Sequence, residues 1–389
     1  MSFDLAADLA ADLAALETRG LRRERRVLDS PQSACVVVEG RDYVAFCSND
    51  YLGLAADPRL IAAACEGART DGIGAGASHL ILGHTTAHHR LEIALAEFVG
   101  LPRALSFSTG YMANLGTVTA LVGRHDDVFA DKLNHASLND AAQLSRANFR
   151  RYAHGDLEAL ERLLAASRAR RKLVVTDAVF SMDGDIAPVP QLLQLCERFD
   201  AGLLLDDAHG FGVLGAGGAG VLSHFKVASP RIVYMATLGK AAGVAGAFVA
   251  GAPDLIETLI QNARTYIYTT ATPPLLAHAL LASLEIMRRE DGRRETLGRL
   301  IEQLKTGLDG MRWKLMASPT AIQPLIVGGN AEVLRVSAAL AERGVLVPAI
   351  RPPTVPDGTA RLRISLSAAH STEDVARLVD ALRHVEKNF

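Results

Sequence analysis

Cysteine is scarce in this sequence. Its four copies, Cys35, Cys47, Cys65 and Cys196, are scattered with no Cys-x-x-Cys spacing. That excludes a disulfide frame and a zinc ribbon, and it suits reduced thiols in a reducing compartment. An excess of either charge is also missing. Lys and Arg total 41 against 43 Asp and Glu, for a formal net charge of −2, whereas nucleic-acid-binding domains carry a clear basic surplus. No nucleic-acid partner is expected. The longest apolar run, near AAGVAGAFVAGAP, is too short and too rich in glycine to span a bilayer, so no membrane partner is expected either. The opening stretch MSFDLAADLAADLAAL lacks the basic residues that begin an export signal. Its leucines and alanines recur at helical spacing and predict an amphipathic helix. The expected location is the cytoplasm. No repeat of solenoid period and no long linker interrupts the chain.

What is present is an ordinary globular composition, 49% apolar and 22% charged, over 389 residues. That length is too great for one simple core. RALSFST, DDVFAD, KLVVTDAVF, AGLLLDD and RIVYMATL read as strands. HHRLEIALAEFV, LEALERLLAASRARR and VPQLLQLCERF between them read as helices. The alternation predicts an α/β fold with a mostly parallel central sheet flanked by helices. From about residue 285 the texture changes. A charged helix (MRREDGRRETLGRLIEQLKTGLDGM) leads to short strands (AIQPLIVGG, RLRISLS) and a terminal helix (DVARLVDALRHV). The expected division is an N-terminal helix and strand segment (1–50), a large α/β domain (51–285) and a small α+β domain (286–389).

In such sheets ligands sit beyond the carboxyl ends of the strands. Those ends carry Ser108 to Tyr111, Asp131 to His135, Ser181 to Asp183, Asp206 to His209 and Thr237 to Lys240. The last group lies in TLGKAAGVAG, one lysine among small residues with strand-like flanks. A buried lysine loses part of its basicity and, once neutral, can condense with an aldehyde. Glycine and alanine around it leave room for a planar ring. Asp206 can keep a pyridine nitrogen protonated, and His209 can reach a phenolic oxygen. His135 can stack on the ring, and the turns at Gly110, Tyr111 and Thr237 can hold phosphate through backbone N–H groups. In outline this is a pyridoxal phosphate site. Two nucleotide-binding patterns fail on context. Gly72, Gly74 and Ala77 follow a helical segment rather than a strand, and Gly239-Lys240 lacks the flanking residues of a P-loop. His84, His88 and His89 lack the glutamate of an HExxH motif, so no metal is expected.

Eight stretches carry a resemblance: FCSNDYLGL (46–54), GAGASHLILG (74–83), STGYMANLG (108–116), DKLNHASLNDA (131–141), VFSMDGDIAP (179–188), DDAHGFGVLG (206–215), TLGKAAGVAG (237–246) and IRPPTVPDGTARLR (350–363). Essentially end to end, the chain resembles the α-oxoamine synthases, pyridoxal phosphate enzymes of aminotransferase-like fold. IQPLIVG (322–328) together with the 350–363 stretch resembles the biotin branch. The resemblance implies Lys240 as the cofactor-bearing lysine, Asp206 as the partner of the ring nitrogen, His209 at the ring oxygen and His135 on the ring face. It implies Gly110, Tyr111, Ser181 and Thr237 around the cofactor and its phosphate, and Thr270 reaching a neighbour's phosphate across a homodimer interface. Arg363, assisted by Asn49, would clamp the amino-acid carboxylate, while Arg22 and Thr354 would serve the acyl thioester. The implied reaction joins L-alanine to a pimeloyl thioester carried by coenzyme A or a carrier protein, with sister synthases of glycine or serine as the alternative. His79 stands where many relatives show arginine or glycine.

Overall fold

The computed structural model describes residues 4–19 and 21–389. Its centre is a seven-stranded sheet. In spatial order the strands are Arg103–Phe107, Ala247–Gly251, Ile232–Thr237, Gly202–Asp206, Lys172–Asp177, Asp127–Asp131 and Asn148–Tyr152. All run parallel except Ala247–Gly251, which is antiparallel to both neighbours. Burial on both faces explains why the middle strands read as unbroken apolar runs. Leu203, Leu204 and Leu205 are fully buried, the first and third in one core layer and the second in the other. The five strands read from sequence are all here.

The strand Asn148–Tyr152 (NFRRY) escaped the reading. It lies at the sheet edge, paired only with Asp127–Asp131, and two of its five residues are exposed, so it shows no apolar run. The single charged helix expected after residue 285 is two helices, Pro274–Arg289 and Asp291–Gly307. Glu290 between them leaves helical geometry at φ −109°, ψ 64°. Its carboxylate is held by Arg59 at 2.5 Å and Arg293 at 2.8 Å, ion pairs that fix the bend.

The C-terminal part forms an antiparallel sheet in which Ile322–Gly328 pairs with Ala360–Ser365, covered by the helices Asn330–Glu342 and Thr372–Lys387. The N-terminal strands Cys35–Val38 and Arg41–Ala45 form a separate sheet, completed by Val345–Leu346 from the far end of the chain. The expected N-terminal helix spans Leu5–Thr18 with no buried residue. No described helix is long and apolar enough to cross a membrane.

Candidate active site

Five parallel strands and the loops leaving them set the site, because their carboxyl ends open on one side of the sheet. Eight of the expected residues line one cavity of about 210 Å³: Gly110, Tyr111, His135, Ser181, Asp206, His209, Thr237 and Lys240. Gly110 begins the helix Gly110–Leu121, which Thr109 caps by accepting the Met112 N–H at 3.1 Å. The first N–H groups of a helix have no acceptor within it, and with the helix dipole they suit an anion. A Cβ added at Gly110 would meet nothing closer than the 3.9 Å contacts with Met235 and Thr237. It would project into the cavity and take space from whatever binds there.

Lys240 Nζ lies 2.9 Å from His209 Nε2, and His209 Nδ1 lies 2.6 Å from Tyr51 Oη. Burial lowers the Lys240 amine from 10.5 to about 8, against the opposing pull of Asp206 and Asp177. Roughly one-tenth of it is therefore neutral at pH 7. Burial, then the Lys240 charge, pushes His209 well below its ordinary 6.5, which leaves a neutral imidazole. Asp206 is buried and accepts from Asn114 Nδ2 at 2.8 Å and the Ala208 N–H at 3.1 Å. Asp177, its partner across the parallel register, is raised well above the usual carboxylate range by burial and then by the Asp206 charge. It accepts the His135 N–H at 3.0 Å and so fixes the start of the helix that follows His135.

Ser181 sits in a turn held from several sides. Arg363 Nε donates to its carbonyl at 2.5 Å, and Arg361 pairs with Asp183. Ser318 and Thr320 hydroxyls donate to the Gly184 carbonyl at 2.9 and 3.0 Å. Gly184 has φ +74°, and a Cβ there would lie 2.5 Å from the Ile322 carbonyl oxygen, so only glycine suits the turn. His154 bridges Asp131 and Asp185 at 3.1 Å each, and hydrogen bonds to these carboxylates raise it from 6.5 to about 10. A folded-state value above the unfolded one contributes stability that is complete below pH 6.5 and lost as pH rises through about 10. His154→Gln is accordingly expected to lower Tm by roughly 2–4 °C at pH 6, with the gap to the parent closing above about pH 10 in a melting series.

Arg363 is buried and lines neither cavity that reaches Lys240. It stands behind Ser181, with Nη1 3.3 Å from Asn49 Oδ1 and 2.8 Å from Ser365 Oγ. Asn49 and Arg22 line a second cavity of about 1080 Å³ that also reaches Lys240. Arg22 and Thr354 line a third, of about 1330 Å³, further out. Arg22 is exposed and paired with Glu17 at 2.7 Å. Thr270 lies apart from all three cavities and is exposed; the next residue, Ala271, donates its N–H to the Ala77 carbonyl at 3.0 Å. His79 is buried away from the cavities, its ring stacked 5.0 Å from that of Tyr266. His88 Nε2 donates to the Thr272 carbonyl at 2.8 Å, and its Nδ1 accepts from the Thr85 N–H at 3.1 Å and hydroxyl at 3.0 Å.

Asn114, Ser137 and Asp177 also line the inner cavity, and sequence reasoning passed over all three. Asp177 closes a strand just as Asp206 does, which was a usable signal. Asn114 stands four residues along the helix from Gly110, on the turn above it, a weaker one.

An amine of lowered basicity, a buried carboxylate, a neutral imidazole and a helix N-terminus share one small cavity, and a wide groove opens beyond the amine. That donor set fits pyridoxal phosphate: the helix start suits a phosphate, Asp206 a cationic ring nitrogen, and Lys240 an aldehyde carbon. The chain belongs to the aminotransferase class I and II family, which it matches over residues 41–382. Within that family it is similar to 8-amino-7-oxononanoate synthase of Nitrosospira multiformis, 66% identical over 95% of this chain and 94% of that protein. It is 63% identical to the synthase of the same name from Nitrosomonas europaea, over 97% and 99% of the two chains. Among solved structures it resembles Sphingomonas wittichii serine palmitoyltransferase, with TM-score 0.93, 31% identity and 99% coverage of both chains. It also resembles 8-amino-7-oxononanoate synthase from Francisella tularensis, with TM-score 0.78, 30% identity, and 89% and 98% coverage.

Proposed function

We propose that this chain condenses L-alanine with a pimeloyl thioester, releasing carbon dioxide and the free thiol carrier and forming 8-amino-7-oxononanoate for biotin synthesis. One observation carries the reading: among the described residues, Lys240 alone lines both the inner cavity and the wide groove. A base so placed can serve an amino acid on one side and meet an acyl donor arriving from the other. Identity of 66% and 63% with the oxononanoate synthases of Nitrosospira multiformis and Nitrosomonas europaea supports alanine over serine.

When bound, pyridoxal 5′-phosphate supplies an electron sink for negative charge at the amino-acid α-carbon. The protein residues do the rest. Lys240 anchors the cofactor through its neutral amine and, once freed, takes the α-proton as general base. Asp206 holds a proton on the ring nitrogen by charge. His135 would cover the ring face, and His209 would donate toward the ring oxygen. Gly110, Tyr111, Ser181 and Thr237, which line the same cavity, would surround the phosphate and ring. Arg363 and Asn49, the former from the smaller C-terminal unit (286–389), receive the alanine carboxylate, since a guanidinium fork matches a carboxylate. Arg22 and Thr354 line the entry of the thioester.

The proposal includes a homodimer in which Thr270 serves the neighbouring site, and a cytoplasmic location. Ile73, Ile81 and Leu82 are 73%, 73% and 85% exposed in the segment to which Ala271 is bonded, an apolar surface suited to a second copy.

Assays with alanine, glycine and serine against pimeloyl, short-chain and palmitoyl thioesters test the reading. Product from alanine and a pimeloyl thioester is expected; preference for serine with palmitoyl would overturn it. Arg363→Lys is expected to raise KM for alanine by about tenfold or more while changing kcat less, because a point-like ammonium loses the fork held at Ser181, Asn49 and Ser365.

A further inference from the structure

Asn114 is fully buried on the helix that begins at Gly110 and has no part in the chemistry derived above. Its Nδ2 donates to Asp206 Oδ2 at 2.8 Å and to Ser137 Oγ at 2.9 Å. Ser137 Oγ lies 2.8 Å from His135 Nδ1, and the Ser137 N–H donates to the same nitrogen at 3.3 Å. Four side chains from a strand, a helix and the start of a second helix thus form one chain.

Its direction is fixed. An amide nitrogen only donates, so Ser137 Oγ accepts from Asn114; and because the Ser137 N–H donates to His135 Nδ1, that nitrogen is an acceptor and takes the hydroxyl proton as well. That nitrogen, accepting twice, carries no proton, and the neutral ring holds its proton on Nε2. Turning the amide over would set Asn114 Oδ1 against the Asp206 carboxylate, oxygen against oxygen. Asn114 Oδ1 meanwhile has no partner although it is buried. Such an acceptor is destabilising.

We infer that Asn114 is a positioning residue for the cofactor: it orients the carboxylate meant for the ring nitrogen and, through Ser137, sets the tautomer of the imidazole meant for the ring face. One amide thereby aligns both groups on the ring. The inference rests on the pyridoxal phosphate reading and adds to it a coupling between Asp206 and His135.

The test uses the apo protein titrated with pyridoxal 5′-phosphate, in four forms: parent, Asn114→Leu, Ser137→Ala and the double variant. Kd, the absorbance of the bound cofactor across pH 6–9, and the apo Tm are read for each. Asn114→Leu is expected to raise Kd about tenfold or more and move the spectral midpoint, in an apo protein that still melts cooperatively above the titration temperature. Ser137→Ala, which leaves the Asp206 bond intact, is expected to raise Kd less. The double variant is expected to match Asn114→Leu, because both substitutions cut one chain. Parent-like Kd and spectra in the single variants, or effects that multiply as if independent, would overturn the inference. So would a raised Kd with an unmoved spectral midpoint, which a loss of stability alone produces. If Asn114→Leu does not fold, Ser137→Ala decides: a parent-like spectrum overturns the coupling, and a shifted one supports it. A parent protein that takes up no cofactor contradicts the underlying reading instead.

Discussion

Lys240→Ala is expected to lower kcat by more than about 10³-fold and to leave a protein that borohydride no longer fixes to pyridoxal phosphate. The loss is large because the proposal gives one amine two tasks, holding the cofactor and taking the α-proton, and among the described residues no other lysine lines either adjoining cavity. Removing it also withdraws the cation that restrains Asp177 from protonating. Asp177 then stays neutral over a wider pH range, so the buried pair is relieved through protonation and the apo protein is expected to remain folded. Steady-state kinetics and a melting curve check both halves. Retained turnover would remove Lys240 from the mechanism.

The second large effect belongs to Asp206. Asp206→Asn keeps the shape and can still accept from the Ala208 N–H, but it lacks the charge that holds a proton on a ring nitrogen. A fall in kcat of about 10²–10³-fold is expected, the scale seen when one preorganised electrostatic group is lost. Stability is expected to move the other way. The Asp206 charge is second only to burial in holding Asp177 far above the carboxylate range, so its removal lets Asp177 ionise at lower pH and relieves a buried repulsion. A variant with much lower kcat and an apo Tm equal to or above the parent's satisfies both expectations. A Tm drop that matches the activity loss contradicts them.

The residues legible in the sequence were those at strand ends. AGLLLDD and RIVYMATL announce their strands by continuous apolar runs, and Asp206 and Thr237 are the last residues of those strands. Once the strands share a sheet, such residues must converge. Asp177 obeys the same rule but faces Asp206 only because Lys172–Asp177 and Gly202–Asp206 are neighbours in register, and strand order is not written in either segment. Asn114 is less visible still. Its partners are 92 and 23 residues away, and it meets them because of how one helix crosses the sheet. The break at Glu290 depends on Arg59, from a helix start more than 200 residues earlier. Thr270 was read from resemblance as serving a neighbour, and within one chain it lies away from the cavity lined by the other cofactor residues. A second copy is what that assignment requires.

The most direct measurement is mass spectrometry of the holoprotein after borohydride reduction and proteolysis. The account predicts the cofactor-derived mass on the peptide carrying Lys240 and on no other; a mass on a different lysine, or none on a protein that turns over alanine, would contradict it.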